Sequence, residues 1–201
     1  MELAKIARAQ EEQHNKDAGT PGDIDFQRMI LRYREQNCHP QPHRAPNDSK
    51  IAICVRKRPI SQKEVNRFDY DSVTCLNPQV TVHNCKLKVD GISKYLDNNT
   101  LEFDHTFGED DSTELLYECS VQTLVPFVLS GGRATVCAYG QTGSGKTFTM
   151  QGIQSLVADD LFALLQRYEE QNNTSVQVQV SGGSESKLNK VGVVVGTVIV
   201  N

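Results

Sequence analysis

The sequence predicts a mixed α/β fold in which a sheet is flanked by helices and preceded by a helical N-terminal segment. Three observations point there. Strand-type runs occupy much of residues 51–107, apolar residues of helical period follow from residue 113, and a glycine-rich loop stands where a short apolar strand gives way to a helix. A strand, a loop of the form G-x-x-x-x-G-K-[ST] and a helix in that order mark a phosphate-binding nucleoside-triphosphatase fold.

The elements follow in order. Residues 2–16 form a short charged helix, residues 19–22 break it with glycine and proline, and residues 24–36 form a second helix before a Pro/His-rich connector at 38–46. Phe26, Met29, Ile30 and Tyr33 recur at spacings of three and four, giving the second helix one apolar face. That face docks on its own domain or on a partner; the spacing alone leaves both open. Residues 1–49 thus read as neck helices and linker, 50–180 as the main domain and 181–201 as an atypical tail.

Residues 51–55 are an apolar strand, 80–83 and 87–89 alternate, and 101–107 alternate again before an acidic turn at 109–111. Ser112 is a helix N-cap, and the helix it starts ends at Gly131 and Gly132, with Pro126 expected to kink it. Residues 134–138 form a short buried strand. Helix resumes at Lys146, and Leu156, Val157, Leu161, Phe162, Leu164, Leu165 and Tyr168 mark a further helix to about residue 171. The tail offers a strand at 176–180, a Ser/Gly-rich stretch and an apolar run at 191–200 with nothing after it to cover it, which reads as an exposed edge prone to aggregation.

With 201 residues, 38% of them hydrophobic and 23% charged, the chain can bury one sizeable core. Its six cysteines, Cys38, Cys54, Cys75, Cys85, Cys119 and Cys137, make no C-x-x-C pair and sit at no zinc-type spacing from histidine, so they read as reduced thiols. The charged N-terminus is unlike a signal peptide, and no window is apolar enough to span a membrane, so a soluble intracellular protein is expected. A net charge of -4 gives no field attractive to nucleic acid, and neither nucleic acid nor membrane is expected as a partner.

Gly140, Gln141, Thr142, Gly143, Ser144, Gly145, Lys146 and Thr147 carry the chemistry. The glycines let the backbone wrap with its N–H groups turned inward on a phosphate, and the helix that follows presents unpaired N–H groups and a partial positive charge. Lys146 adds a full charge on a flexible stem for the β- and γ-phosphates. The Thr147 hydroxyl is a hard oxygen suited to Mg²⁺. A plain glycine-rich turn is the alternative, and the strand before and helix after the loop weigh against it.

The stretch AYGQTGSGKTFTM, residues 138–150, resembles the nucleotide loop of kinesin motor domains. The resemblance implies ATP as the nucleotide, tubulin and microtubules as partners, and a place in the cytoplasm on the cytoskeleton. Arg56-Lys57-Arg58-Pro59 is similar to the family's R-x-R-P element, which implies that Arg56, Arg58 and Pro59 border the adenine, and Tyr117 stands where the family places an aromatic against the base. Read alone, the two arginines are solvated strand-end charges. Lys88, Val89 and Asp90, followed by YLDNNTLEFDHTF, are similar to the tip of the hairpin that internal-motor, microtubule-depolymerising kinesins press on tubulin; read alone they are a solvated turn. The segment DFQRMILRYREQNCHP resembles that branch's connection from neck to motor.

Departures qualify the likeness. Residues 1–48 hold seven Lys/Arg against eight Asp/Glu where the branch is strongly basic, Phe148 replaces a common histidine, and the loop after Met150 is short. The family's N-x-x-S-S-R-S-H and D-x-A-G-S-E segments, which sense the γ-phosphate, occur nowhere in the 201 residues, so no catalytic residue is assigned. The resemblance stops near residue 181, and a truncated motor domain is expected, as a short isoform or a gene model running into untranslated or intronic sequence. The chain is therefore either a tubulin-stimulated ATPase or a nucleotide-binding or interaction fragment without turnover. A small-molecule kinase would place the loop near its N-terminus, whereas roughly 90 residues of domain precede it here.

Overall fold

The structure is a computed structural model that describes residues 6–7, 9–10, 13–14, 22–43 and 50–172, with the backbone of 192–200. The first expected helix lies mostly outside these residues, and the expected strand at 176–180 and the Ser/Gly stretch lie wholly outside them. The described residues form two compact units, one holding those up to Pro42 with Arg56–Glu109 and Val200, the other those of His43–Val55 and of Asp110–Ile199.

In the first unit, helix α1 (Ile24–Gln36) packs on a three-stranded antiparallel sheet of β2 (Val73–Leu76), β3 (Gln79–Leu87) and β4 (Lys94–Glu102). Asp23 caps the helix, its Oδ1 accepting the Asp25 and Phe26 amides at 3.0 and 3.3 Å. The apolar face marked by Phe26 and Ile30 is buried, so it docks on its own domain. Strand β3 carries an unexpected burden. Beside Val80, the polar residues Thr81 and His83 are also buried, and it is they that meet the helix, through Tyr33, whose hydroxyl pairs with Thr81 at 3.2 Å and whose ring meets His83 edge-on.

Two expectations change here. Residues 87–89 are not a strand throughout: β3 ends at Leu87, and Lys88 and Val89 enter the hairpin tip. The alternating run 101–107 is two strands, β4 and β5 (His105–Phe107), separated at Phe103 and Asp104. Alternation gives side-chain direction and does not show where a strand changes neighbours.

In the second unit, helices α3 (Thr113–Ser120), α4 (Leu124–Leu129) and α5 (Lys146–Asn172) gather about β6 (Arg133–Tyr139). Ser112 caps α3, accepting the Leu115 amide at 3.1 Å. Pro126 kinks nothing: the break falls at 121–123, and Pro126 sits in the first turn of α4, where a missing N–H costs no helical hydrogen bond. The end at Gly131 and Gly132 is as expected. Gly131 has φ +92° and donates to the Val128 carbonyl, Gly132 donates to the Phe127 carbonyl, and this paired closure turns the chain directly into β6. The expected helices after Lys146 are one continuous helix of 27 residues.

The tail overturns an expectation. Backbone residues Gly192–Val200 form β7, which lies between β1 (Ile51–Lys57) and β6 and runs parallel to β6 with Ala134 opposite Val193 and Tyr139 opposite Val198. A strand with neighbours on both sides needs no polar alternation, which is why an unbroken apolar run suits it.

Gly152 sits inside α5, where a Cβ would come within 2.7 Å of Thr113 Cγ2. Gly152→Ala gains about 1 kcal/mol of helix propensity and loses about 1–3 kcal/mol to overpacking. Thermal denaturation should therefore show a net loss of stability that Thr113→Ser, which removes the obstructing methyl, restores.

Candidate functional site: the phosphate loop and the flanking charged elements

Strand β6 delivers the chain to Gly140, and α5 takes it up again at Lys146. Between them the backbone makes a turn that only glycine tolerates well: Gly143 and Gly145 have φ of +83° and +99°, and a Cβ on either would meet nothing within 4 Å. The glycines are thus required by backbone angle, with open space over the loop. The Ser144 amide donates to the Gln141 carbonyl at 3.2 Å, which tightens the turn. The first N–H groups of α5 have no carbonyl one turn earlier and face the loop end of the helix.

The side chains complete a cradle of positive potential. Lys146 folds back over the loop and donates to the carbonyls of Gly140 at 2.9 Å and Gln141 at 2.6 Å. Thr147 is exposed in the first turn of α5. Ser144 Oγ is buried and has no hydrogen-bond partner, the one such side-chain atom among the described residues. A buried hydroxyl without a partner costs about 1–3 kcal/mol, so it marks where a further acceptor or donor belongs. Open glycine backbone, a helix N-terminus, one lysine and an unsatisfied hydroxyl together fit a polyphosphate. For a divalent cation the chain offers the Thr147 hydroxyl, one oxygen of the six that magnesium takes.

Tyr117, in the same unit, is 3% exposed, and its hydroxyl donates to Asp160 Oδ2 of α5 at 2.7 Å. Burial, with Asp160 adding to it, pushes the Tyr117 phenol above its ordinary range. Its ring therefore packs α3 against α5 and has almost no surface to offer a base. Asp160 was not legible as its partner, because 43 residues separate them.

Arg56, Arg58 and Pro59 belong to the other unit. Pro59 lacks an N–H and follows the end of β1, after which Ser61 and Glu64 form a capping box around helix α2 (Gln62–Val65). Glu64 Oε2 accepts the Ser61 amide at 2.7 Å, and the carboxylate also takes both terminal nitrogens of Arg58, at 2.9 and 2.5 Å. Arg58 is thereby fixed as a fork over the turn. Lys57, between the two arginines, donates to Asp71 at 2.6 Å with a side chain only 9% exposed. Lys57, Arg58, Glu64, Tyr70, Asp71 and Cys85 line a cavity of about 440 Å³.

The hairpin tip lies in this first unit as well. Lys88, Val89 and Asp90 are all exposed, Val89 by 109%, and stand at the turn between β3 and β4. Sequence reasoning missed the cation that ties the hairpin to helix α1. Lys94, at the start of β4, donates to Asp23 and Asp25 and lies 5.3 Å from the Phe26 ring centroid. The available signal was the pair of acids at the start of α1, which usually serve the helix end alone.

No helix among the described residues is long and apolar enough to cross a membrane. Residues 56–182 match the family described as Kinesin motor domain. The chain is also 47% identical over 177 residues to Diatom spindle kinesin-1 of Cylindrotheca fusiformis, an alignment covering 85% of this chain and 28% of that protein. The chain thus spans under a third of the length of this relative.

The Arg58 guanidinium, with the Ser61 amide and hydroxyl, pulls the Glu64 carboxyl down from its ordinary 4.5 to about 2. A carboxyl lowered in the folded state contributes stability that is complete above its unfolded value and is lost as pH falls through the folded one, so the window here runs from 4.5 down to about 2. An NMR titration of the Glu64 side chain should give a midpoint of about 2. In Arg58→Gln the midpoint should rise toward the ordinary value without reaching it, because the Ser61 contacts remain.

Proposed function

The chain belongs to the kinesin motor family, and from that premise we propose that it grips ATP with magnesium through residues 140–147 and meets tubulin through the β3–β4 hairpin tip. The fold is the mixed α/β fold of a phosphate-loop nucleoside-triphosphatase, with helices flanking the sheet. The observation that carries the nucleotide reading is the loop itself, with two open left-handed glycines, the start of a long helix, Lys146 and the unsatisfied Ser144 hydroxyl in one turn. Magnesium, when bound, neutralises phosphate charge, and Thr147 is the side chain that would hold it.

The residues act in order of their freedom. The backbone N–H groups of the loop are held by the turn and would donate to phosphate oxygens. Lys146 must exchange its hydrogen bonds to Gly140 and Gln141 for bonds to the phosphates. That exchange replaces two neutral acceptors by charged ones, so bonds with one ionised partner become bonds with two. Arg56, Arg58 and Pro59 are proposed to border the base, with Glu64 holding the Arg58 fork in place.

The similarity of Lys88, Val89 and Asp90 to the internal-motor branch supports a family role in ATP-dependent microtubule depolymerisation, and the full exposure of Val89 suits a contact surface. A second reading is nucleotide binding without turnover. Phosphate release measured with and without microtubules separates the two.

Lys146→Ala should weaken binding of a fluorescent ATP analogue by about 10- to 100-fold, the loss of one or two charge-assisted hydrogen bonds. Equal affinities for the parent and the variant in a fluorescence titration would remove the loop from the site.

A further inference from the structure

We infer that Asp90 is a positioning residue: its carboxylate holds the hairpin tip in shape so that Lys88 and Val89 face outward, and its charge does not itself meet the partner. This rests on reading the tip as a tubulin contact. The family resemblance implies one contact triplet of Lys88, Val89 and Asp90, but the geometry divides them. Asp90 Oδ1 accepts the Ile92 amide at 2.9 Å and the Ser93 amide at 2.8 Å, and Oδ2 accepts the Ser93 hydroxyl. Both carboxylate oxygens are thus turned back into the turn.

The rest of the tip is built to match. Lys88 donates its amide to the Ser93 carbonyl at 2.8 Å, closing the hairpin one step beyond the Leu87–Lys94 pair, and Gly91 donates to the Lys88 carbonyl at 2.9 Å. Gly91 has φ +67° with no atom within 4 Å of a Cβ position, so the chain reverses there without a side chain. Without the Asp90 carboxylate, the Ile92 and Ser93 amides have no acceptor in this turn. The six-residue segment 88–93 would then keep only the Lys88 closures. By contrast Lys88 makes no ion pair among the described residues, and Val89 is exposed on every side. The Ser93 hydroxyl and the two amides hold the Asp90 carboxyl below its usual range, so the brace is charged throughout the neutral region.

An asparagine keeps the Oδ1 acceptor and discards the charge, which gives the discriminating variant. In the full chain, Asp90→Ala should speed hydrogen exchange of the Ile92 and Ser93 amides by about fivefold and weaken co-pelleting with tubulin, whereas Asp90→Asn should keep both within about twofold of the parent. Ser93→Ala, which removes only the hydroxyl bond, should fall between them. If Asp90→Asn loses as much tubulin binding as Asp90→Ala while its amides stay protected, the charge itself is the contact and the inference is overturned. Unchanged exchange in Asp90→Ala would overturn it equally. A parent chain that fails to pellet with tubulin, yet shows the expected exchange pattern, would sink the tubulin reading and leave the brace standing.

Discussion

Asp71 is the carboxylate on which the first unit is assembled. Arg34 of helix α1 reaches its Oδ2 at 2.8 Å and Lys57 at the end of β1 reaches the same oxygen at 2.6 Å. Lys57 is almost covered, and a buried ammonium without a counter-charge is far costlier than the pair, so the position of Asp71 is dictated by the end of β1. Glu109 stands farther from that ammonium, at 3.5 Å. Burial works against the charged form of Asp71, but the hydrogen bond and charge of Lys57, with Arg34 and the Val73 amide, hold its carboxyl below the usual range.

From Arg34 the order passes across the sheet. Its Nε donates to Thr74 Oγ1 at 2.9 Å, Thr74 pairs with His83 Nε2 at 2.7 Å, and His83 Nδ1 pairs with Asn98 at 2.7 Å. The Asn98 oxygen can only accept, so Nδ1 carries the ring proton; Nε2 of the neutral ring then accepts from the Thr74 hydroxyl, which itself accepts from Arg34. One donor and one acceptor on the imidazole define the neutral tautomer. Burial, with Arg34 nearby, pushes the His83 pKa down and agrees with it. The polar residues buried on β3 are therefore satisfied, and together they set the register of helix against sheet in a way that apolar contacts alone would leave looser.

What the sequence made legible was what is local. The strand–loop–helix order around residues 140–147, the Ser112 cap, the Gly131–Gly132 closure and the helix Ile24–Gln36 each depend on residues within a few positions of one another, and each stands as expected. The partners of charged side chains were not legible. Arg34 with Asp71, Lys94 with Asp23 and Tyr117 with Asp160 lie 37, 71 and 43 positions apart, and nothing in periodicity chooses among the 25 acids of the chain. The same limit explains Pro126 and the split of residues 101–107. A proline signals a boundary within a turn or so, and an alternating run records facing without recording neighbours. Tyr117 is the instructive case for the site, since its place in the sequence suited a base-stacking ring and its burial makes it a strut between helices.

The strand that carries the loop has a further dependence. Every residue of β6 from Arg133 to Tyr139 is partnered in register by β7, and the pairing runs to Tyr139, the residue before Gly140. The buried strand expected at 134–138 is not one: none of the β6 side chains is buried, and the strand is held mainly by its backbone ladder and by α4 and α5. A loop that must present fixed N–H groups needs both its ends fixed: α5 secures Lys146, and the β6–β7 ladder secures Gly140. Ligand binding and sheet pairing are then linked, because whatever binds only the ordered loop stabilises the ladder by the same free energy with which the ladder strengthens binding.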